Sequence, residues 1–570
     1  MQKVWCPNRD ADEWDGEQCQ ENLYIISKGP DENYFELEDV SADPKFAEVI
    51  DTIRYPLFPY GIRIDKLIPG VVLEPGDIVH ENIIHATIRE QMARYSADSF
   101  LIYQNGQLIY EKYTNAGDLA FPDSSTGGQK KIRANDFTQS DRHALFSVTK
   151  SFIGMVFTKL LMEVNDFNDD DLVIDWVPGL ADTSAFNTAT ARMIADMSVD
   201  FQYHETNPCD TSQWSEQINA YLMNETEGVF PLPKDCEHVG WMYLSRLARP
   251  AFPDELISNG TMTGQDLVDS LPQKLDYIKL MKKGNATEHG IKFEYRSILS
   301  DVVALICSGV IEKAYPGEYE SVGDYFQREI WAKLGTDDDM VLNADANGSP
   351  YWWSLGSARA RDVLRSGIML LNDGTNHKGQ QVLPKDAVAD LFDGTDLSRS
   401  QISRATSSNT AYLLSLSGVL YNSTLFPDVK ECGVMTTDWS YHGQMRSYNP
   451  GKQKGTGEIL TFEGYLGQNV YIDRVAKLVV VQQSMNGNYL RPDQIQNTFY
   501  ALSNYFRCNP PTDDSPDTTI SQDTEGGDAG EEDGGISPED SITSSTVGGV
   551  RLSICYYSGA FLSLIGFFFV

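Results

Sequence analysis

The sequence predicts an α+β fold. An antiparallel sheet built from N- and C-terminal strands is flanked by helices and carries an inserted, mainly helical subdomain. Three observations carry this. Residues 99–114 hold two β-rich runs on either side of Asn105-Gly106, the strongest short hairpin signal. Residues 458–464, 468–473 and 476–483 read as an antiparallel meander near the other end. The segments between them show helical apolar spacing again and again.

Taken in order, the elements are these. Residues 1–80 are polar, hold no signal-peptide core, and read as an N-terminal extension. The globular domain is expected over 81–507. Behind the hairpin, a Gly-, Ser- and Asp-rich loop over 115–142 leads to an apolar helix that opens at Ser147 and continues to Leu161. Residues 190–198 suit an amphipathic helix, and 200–290 mix short helices with polar loops. Further helices are expected over 298–314, 322–334, 357–373 and 385–392. After the meander, a closing helix is expected over 491–506.

The chain has 570 residues and a formal net charge of −37, a balance that argues against a nucleic-acid partner. Residues 509–549 hold eleven Asp or Glu and no Lys or Arg, so 508–550 read as an acidic, disordered stalk. Residues 551–570 form a hydrophobic tail. Small residues at Ser544-Ser545-Thr546 and a short spacer before it match a GPI-attachment signal. A C-terminal tail anchor with a cytosolic globular part is the alternative. Membrane contact is expected through this tail only. Acceptors for N-glycans at Asn224, Asn259, Asn285, Asn347 and Asn422 point to the cell surface. So do the close pairs Cys6/Cys19 and Cys209/Cys236, which suit disulfides, though spacing leaves the pairing open. Cys307 sits in an apolar run and is expected to be a buried free thiol. Cys-x-x-Cys and His-Glu-x-x-His spacings are absent, so no metal and no cofactor are expected.

Chemistry concentrates at Ser147-Val148-Thr149-Lys150. Positions i and i+3 of a helix share a face, so the Ser147 hydroxyl and Lys150 amine can address one point. A lysine desolvated by an apolar wall can take a serine proton. The helix N-terminus adds backbone N–H groups where an oxyanion would form.

Five segments in order then resemble one superfamily of serine hydrolases, that of class C β-lactamases, penicillin-binding proteins and D-aminopeptidases. Its β-lactamase-fold esterases and 6-aminohexanoate (nylon-oligomer) hydrolases are the most similar. The segments are Leu145 to Phe152, Thr190 to Ser198, Phe293-Glu294-Tyr295-Arg296-Ser297, Arg361 to Gly367, and Gly464-Tyr465-Leu466-Gly467-Gln468. The resemblance implies a β-lactamase/transpeptidase-like fold and an acyl-enzyme on Ser147. It implies that Lys150 shares the serine proton and that Tyr295 relays a proton to the leaving group. It also implies an oxyanion hole from the backbone N–H groups of Ser147 and Gln468. Tyr465 and Leu466 stand where relatives place a cation and a hydroxyl. That departure favours a small, uncharged ester or amide substrate. Tyr465, Gly467, Trp352 and Trp353 are expected at the substrate, and Arg296 is expected to face solvent. A β-lactamase or D-aminopeptidase/carboxypeptidase is the enzymatic alternative. A catalytically inactive binding module is the other, and the joint presence of Ser147, Lys150 and Tyr295 argues against it.

Overall fold

The computed structural model of the chain describes residues 23–52, 55–57, 84–86, 97–114, 120–122, 129–131, 136–202, 274–279, 281–284, 288–291, 293–344, 348–354, 356–394, 439–448, 454–464, 467–484 and 492–510. Those up to Asn509 fall in one structural unit. The strands are β1 (Leu23–Ile26), β2 (Tyr55–Leu57), β3 (Ile84–Ala86), β4 (Ala97–Gln104), β5 (Gln107–Tyr113), β6 (Ala120–Pro122), β7 (Gln129–Lys131), β8 (His143–Ala144), β9 (Met340–Asn343), β10 (Gly356–Ala358), β11 (Trp439–His442), β12 (Met445–Tyr448), β13 (Ile459–Gly464), β14 (Gln468–Asp473) and β15 (Leu478–Ser484). The helices are α1 (Pro44–Thr52), α2 (Val148–Glu163), α3 (Val173–Trp176), α4 (Ala191–Ala195), α5 (Lys274–Ile278), α6 (Ile298–Ala314), α7 (Val322–Glu329), α8 (Ala360–Leu371), α9 (Lys385–Asp393) and α10 (Pro492–Cys508).

The organising sheet has seven antiparallel strands in the order β11-β12-β13-β14-β15-β4-β5. Its centre joins the two ends of the domain, with Val480 of β15 opposite Ile102 of β4. The α+β architecture read from the sequence is therefore present. The hairpin turn is as its residues require: Asn105 has φ 47° and Gly106 φ 93°, the left-handed pair of a two-residue turn.

Alternation along the strands assigns the layers. Phe462, Val470 and Val479 point to one face; Phe462 meets Phe152 of α2 at 6.3 Å between ring centroids, and Gly367 of α8 lies against Val470 and Val479. Tyr471 points to the other face, where Phe499 of α10 stacks on it at 5.2 Å and Ser503 shares a 2.9 Å hydrogen bond with its hydroxyl. With both faces covered, β14 and β15 are buried along their whole length.

Helix α2 is buried continuously from Val148 to Leu160. A helix apolar all round needs neighbours on every side. It has α6 and α7 beside it, the sheet beneath, and the β11–β12 turn against Gly154. A Cβ at Gly154 would overlap the Gly443 carbonyl oxygen, so only glycine permits that approach.

A second sheet, β1-β9-β10-β8, was not read from the sequence. Its strands are two to four residues long and come from distant parts of the chain, too short for a periodicity window. Through β1 the N-terminal segment joins the domain. Val40 N donates to Leu108 O at 3.0 Å, and Arg361 of α8 pairs with Asp39 at 2.5 Å. The helix expected over 322–334 divides into α7 and a 3₁₀ turn at Trp331–Lys333.

Among the described residues, no helix is long and apolar enough to cross a membrane. The acidic stalk from 511 and the tail 551–570 lie outside them, as do all five glycan acceptors and Cys6, Cys19, Cys209, Cys236, Cys432 and Cys555. Cys307 is a buried free thiol, as expected, and burial pushes its ionisation up; Cys508 is disulfide-bonded.

Candidate active site

The chain leaves β8 at Ala144 and begins α2 at Val148, with Phe146 at φ 47° between them. A left-handed backbone is costly for a bulky aromatic residue and marks a tightly determined turn. This turn delivers Ser147 to the N-cap position of α2. One turn on, Lys150 Nζ donates to Ser147 Oγ at 2.9 Å. Both side chains are buried, Lys150 with 1% of its surface exposed. A buried lysine needs fixed partners. Besides Ser147 it donates to the Trp353 carbonyl and lies over the Tyr295 ring at 5.0 Å.

The segment that supplies Trp353 also fixes the first turn of α2. Thr149 Oγ1 donates to Ser354 O at 3.2 Å and accepts from Gly356 N at 3.2 Å. Leu145 N donates to Gly356 O at 2.8 Å. The second sheet thus carries the Ser147 turn on its β8–β10 edge.

Tyr295 lies three residues before α6 and is half-buried. Its ring stands edge-on to Tyr441 at 5.9 Å and 88°. The structure therefore brings Ser147, Lys150 and Tyr295 into one cluster from α2 and the segment before α6.

The end of β13 closes the other side. A Cβ on Gly464 would sit 3.2 Å from Ser147 N and 2.6 Å from Leu145 O, so this strand end abuts the Ser147 backbone. Gln468 pairs with Gly464 across the β13–β14 connection. Its side chain is anchored inward, donating to Ser484 O and accepting from Ser484 N at 3.3 Å. Gly467 has φ 91°, and Tyr465 and Leu466 lie outside the described residues. Gly464→Ala is expected to wedge β13 from Ser147, costing about 1–3 kcal/mol of stability and about 10²-fold in turnover. Urea unfolding and steady-state kinetics on one preparation check both.

Three expectations need correction or refinement. Trp352, expected at the substrate, is fully buried; its N donates to Asp301 Oδ1 at 3.0 Å and its ring packs edge-on to Phe326. Trp353 is also buried and serves the site through its carbonyl. Arg296 does not face solvent. It is 4% exposed, donates to Val199 O at 3.0 Å, pairs with Glu294 at 2.8 Å and lies over Phe201. An apolar stem with a satisfied guanidinium can be buried where the local backbone offers a carbonyl.

Sequence reasoning missed two charged groups on the β11–β12 hairpin. Arg446 pairs with Glu463 and lies over Tyr295 with its guanidinium carbon 5.9 Å from the ring centre. Glu463 is itself fixed by the Tyr448 hydroxyl at 2.6 Å and Thr461 Oγ1 at 2.9 Å. Fully buried His442 bridges Asp196, the C-cap of α4, at 3.0 Å and Asp390 of α9 at 2.8 Å. Arg192 contacts both His442 and Asp390. Burial alone would favour neutral His442, and Arg192 opposes its charge; Asp196 and Asp390 outweigh both and raise it to about 9. No motif marks these residues, because their partners are far away in the chain.

Among the described residues, no group of three or more His, Cys, Asp or Glu is arranged to hold a metal ion.

Residues 84–232, which include Ser147 and Lys150, match the beta-lactamase family model. The 6-aminohexanoate-dimer hydrolase of Paenarthrobacter ureafaciens is 23% identical over 295 residues, 52% of this chain. The match spans 57% of that protein, little more than half its length. A solved structure from Bacillus anthracis, described as a candidate 6-aminohexanoate-dimer hydrolase, has a TM-score of 0.50 at 18% identity. It covers 86% of this chain and 92% of its own, and shows the shared fold. Ser147 and Lys150 thus lie inside the segment that is similar to the beta-lactamase family, within a fold shared with that solved structure.

Proposed function

We propose that the chain is a serine hydrolase that forms an acyl-enzyme on Ser147 and cleaves a small ester or amide. The 2.9 Å contact between the buried side chains of Lys150, at Nζ, and Ser147, at Oγ, is the observation that carries this reading. As a neutral amine, Lys150 has two N–H bonds and one lone pair. An N–H on Trp353 O holds the amine, and the lone pair takes the Ser147 proton as Oγ attacks the carbonyl carbon. The resulting oxyanion has the Ser147 N–H beside it, and that of Gln468 is the second expected donor. The C–O or C–N bond then breaks, and the leaving group receives a proton through Tyr295. Water repeats the sequence on the acyl-enzyme and releases the acid. The two named relatives act on, or are described as acting on, the 6-aminohexanoate dimer, which supports amides as well as esters in a substrate screen.

Labelling with a fluorophosphonate probe, with the adduct mapped by mass spectrometry, tests the nucleophile. The adduct is expected on Ser147, to be absent in Ser147→Ala and to form far more slowly in Lys150→Ala. Folded protein with Ser147 unlabelled removes the reading and leaves the binding module in its place. For location, the apolar C-terminal stretch and the glycan acceptors support the cell surface. Release of the protein from cells by phosphatidylinositol-specific phospholipase C checks the GPI form of that proposal.

A further inference from the structure

A buried ion pair grips the segment that supplies Trp353. Lys274 of α5 and Asp301, in the first turn of α6, lie 3.3 Å apart, and both are almost fully buried. Lys274 Nζ also donates to Pro350 O and, at 3.3 Å, to Ser349 Oγ, and it lies over the Tyr351 ring at 4.9 Å. Asp301 Oδ1 accepts from Trp352 N at 3.0 Å. The two charges thus hold the main chain on either side of Tyr351. The carbonyl that follows this clamped stretch is Trp353 O, the one that accepts from Lys150 Nζ. A buried ion pair adds little stability over an apolar pair. An apolar pair, however, could not meet a main-chain N–H and a main-chain carbonyl.

We infer that Asp301 and Lys274 are positioning residues that act through Trp353: they hold the 350–353 main chain so that the Trp353 carbonyl stays on the Lys150 amine. This rests on the hydrolase reading above, in which that amine takes the Ser147 proton. An N–H of Lys150 on Trp353 O sets the direction of its lone pair, so a displaced carbonyl turns the lone pair away from Ser147 Oγ. Thr149 holds the neighbouring Ser354 O, but it rides on α2 together with Lys150. Tyr351 N donates to Asn343 O of β9 at 2.8 Å, before the two tryptophans. Asp301 on Trp352 N is an anchor between these two that does not move with α2. It sits on the helix that follows Tyr295, so the clamp also ties the Tyr295 segment to the carbonyl that holds Lys150.

The test uses the full chain with two double variants. Asp301→Leu/Lys274→Met replaces the ion pair by apolar side chains and removes both grips on the main chain. Asp301→Asn/Lys274→Met removes both charges but keeps an oxygen for Trp352 N. The first is expected to lower kcat for a p-nitrophenyl ester by about 10²-fold with KM unchanged, the cost of misplacing a reacting group by about 1 Å. The second is expected to fall between, about tenfold below the parent. A role in stability alone moves the melting temperature and leaves kcat per fluorophosphonate-titrated site at the parent value. Parent kcat in both folded variants overturns the inference; where only the second folds, parent kcat in it does so by itself. Hydrogen exchange of the 350–354 main chain, read by mass spectrometry, needs no turnover. Trp352 N–H is expected to exchange faster in the first variant than in the parent, and equal protection in the folded variant overturns the inference. Faster exchange there in a protein whose Ser147 does not label sustains the clamp and overturns the hydrolase reading instead.

Discussion

Lys150→Met is expected to lower turnover of an activated ester by about 10⁴-fold while the protein stays folded. The two halves of that result come from different parts of the geometry. Lys150 is buried beside Ser147 and makes the contact through which the serine proton leaves. Methionine keeps the length and apolar stem of the side chain but has no donor and no base. The lost contacts are those of the amine to Trp353 O and Ser147 Oγ and its place over the Tyr295 ring. Methionine fills a similar volume, the Trp353 carbonyl loses one donor at a cost of about 1–3 kcal/mol, and α2 retains the Thr149 and Leu145 contacts to the 354–356 segment. Steady-state kinetics and thermal melting on one preparation check this. Residual activity within tenfold of the parent removes Lys150 from the proton path; a large fall in melting temperature makes it a structural residue.

His442→Ala is expected to cost about 3–5 kcal/mol, because it leaves buried Asp196 and half-buried Asp390 without the imidazolium between them, with Arg192 as their remaining cation. The loss propagates to the site. The same hairpin places Tyr441 against Tyr295 and Arg446 over it, and its turn presses on Gly154 of α2. The pH dependence has a definite sign. His442 is raised in the folded state from 6.5 to about 9, so its stabilisation is complete below 6.5 and is lost as pH rises through about 9. Asp390 moves the other way. Burial opposes its charge, but His442 and Arg192 hold it well below the usual carboxylate range, so its contribution is present above the ordinary value and lost in acid. Urea unfolding of the parent and His442→Ala at pH 6 and pH 9.5 is expected to show a gap that narrows at the higher pH. A gap of equal size at both leaves the imidazolium without its assigned role.

The sequence made the large elements legible, and for physical reasons. The β4–β5 hairpin was visible because Asn105-Gly106 encodes its own turn. The helix expected over 298–314 is α6, and the meander strands fall within two residues of their expected bounds, because long apolar periodicity survives in one dimension. The Ser147–Lys150 contact was visible because one helical turn guarantees it. What escaped was assembled from short, distant pieces. The β8–β10 edge that carries Trp353 and Gly356 has strands of two and three residues. Asp196 and His442 are 246 positions apart, and neither looks unusual alone. Arg296 was misread because a charge in sequence says nothing of a carbonyl waiting in the core.

The pairing of β15 with β4 has a consequence for how the protein is made. Ser99 and Gln483, hydrogen-bonded at 3.0 Å in the middle of the sheet, are 384 residues apart. At a ribosomal rate of about 5–20 residues per second, roughly 20 to 80 s separate the emergence of the two strands. For most of that interval α2, buried continuously in the finished fold, waits for the sheet strands on which it packs. Until its last strands arrive, a nascent chain of this design exposes apolar surface that the finished sheet covers. A product terminated between residues 164 and 477 holds Ser147 and Lys150 but lacks β15, the strand that joins the two ends of the sheet.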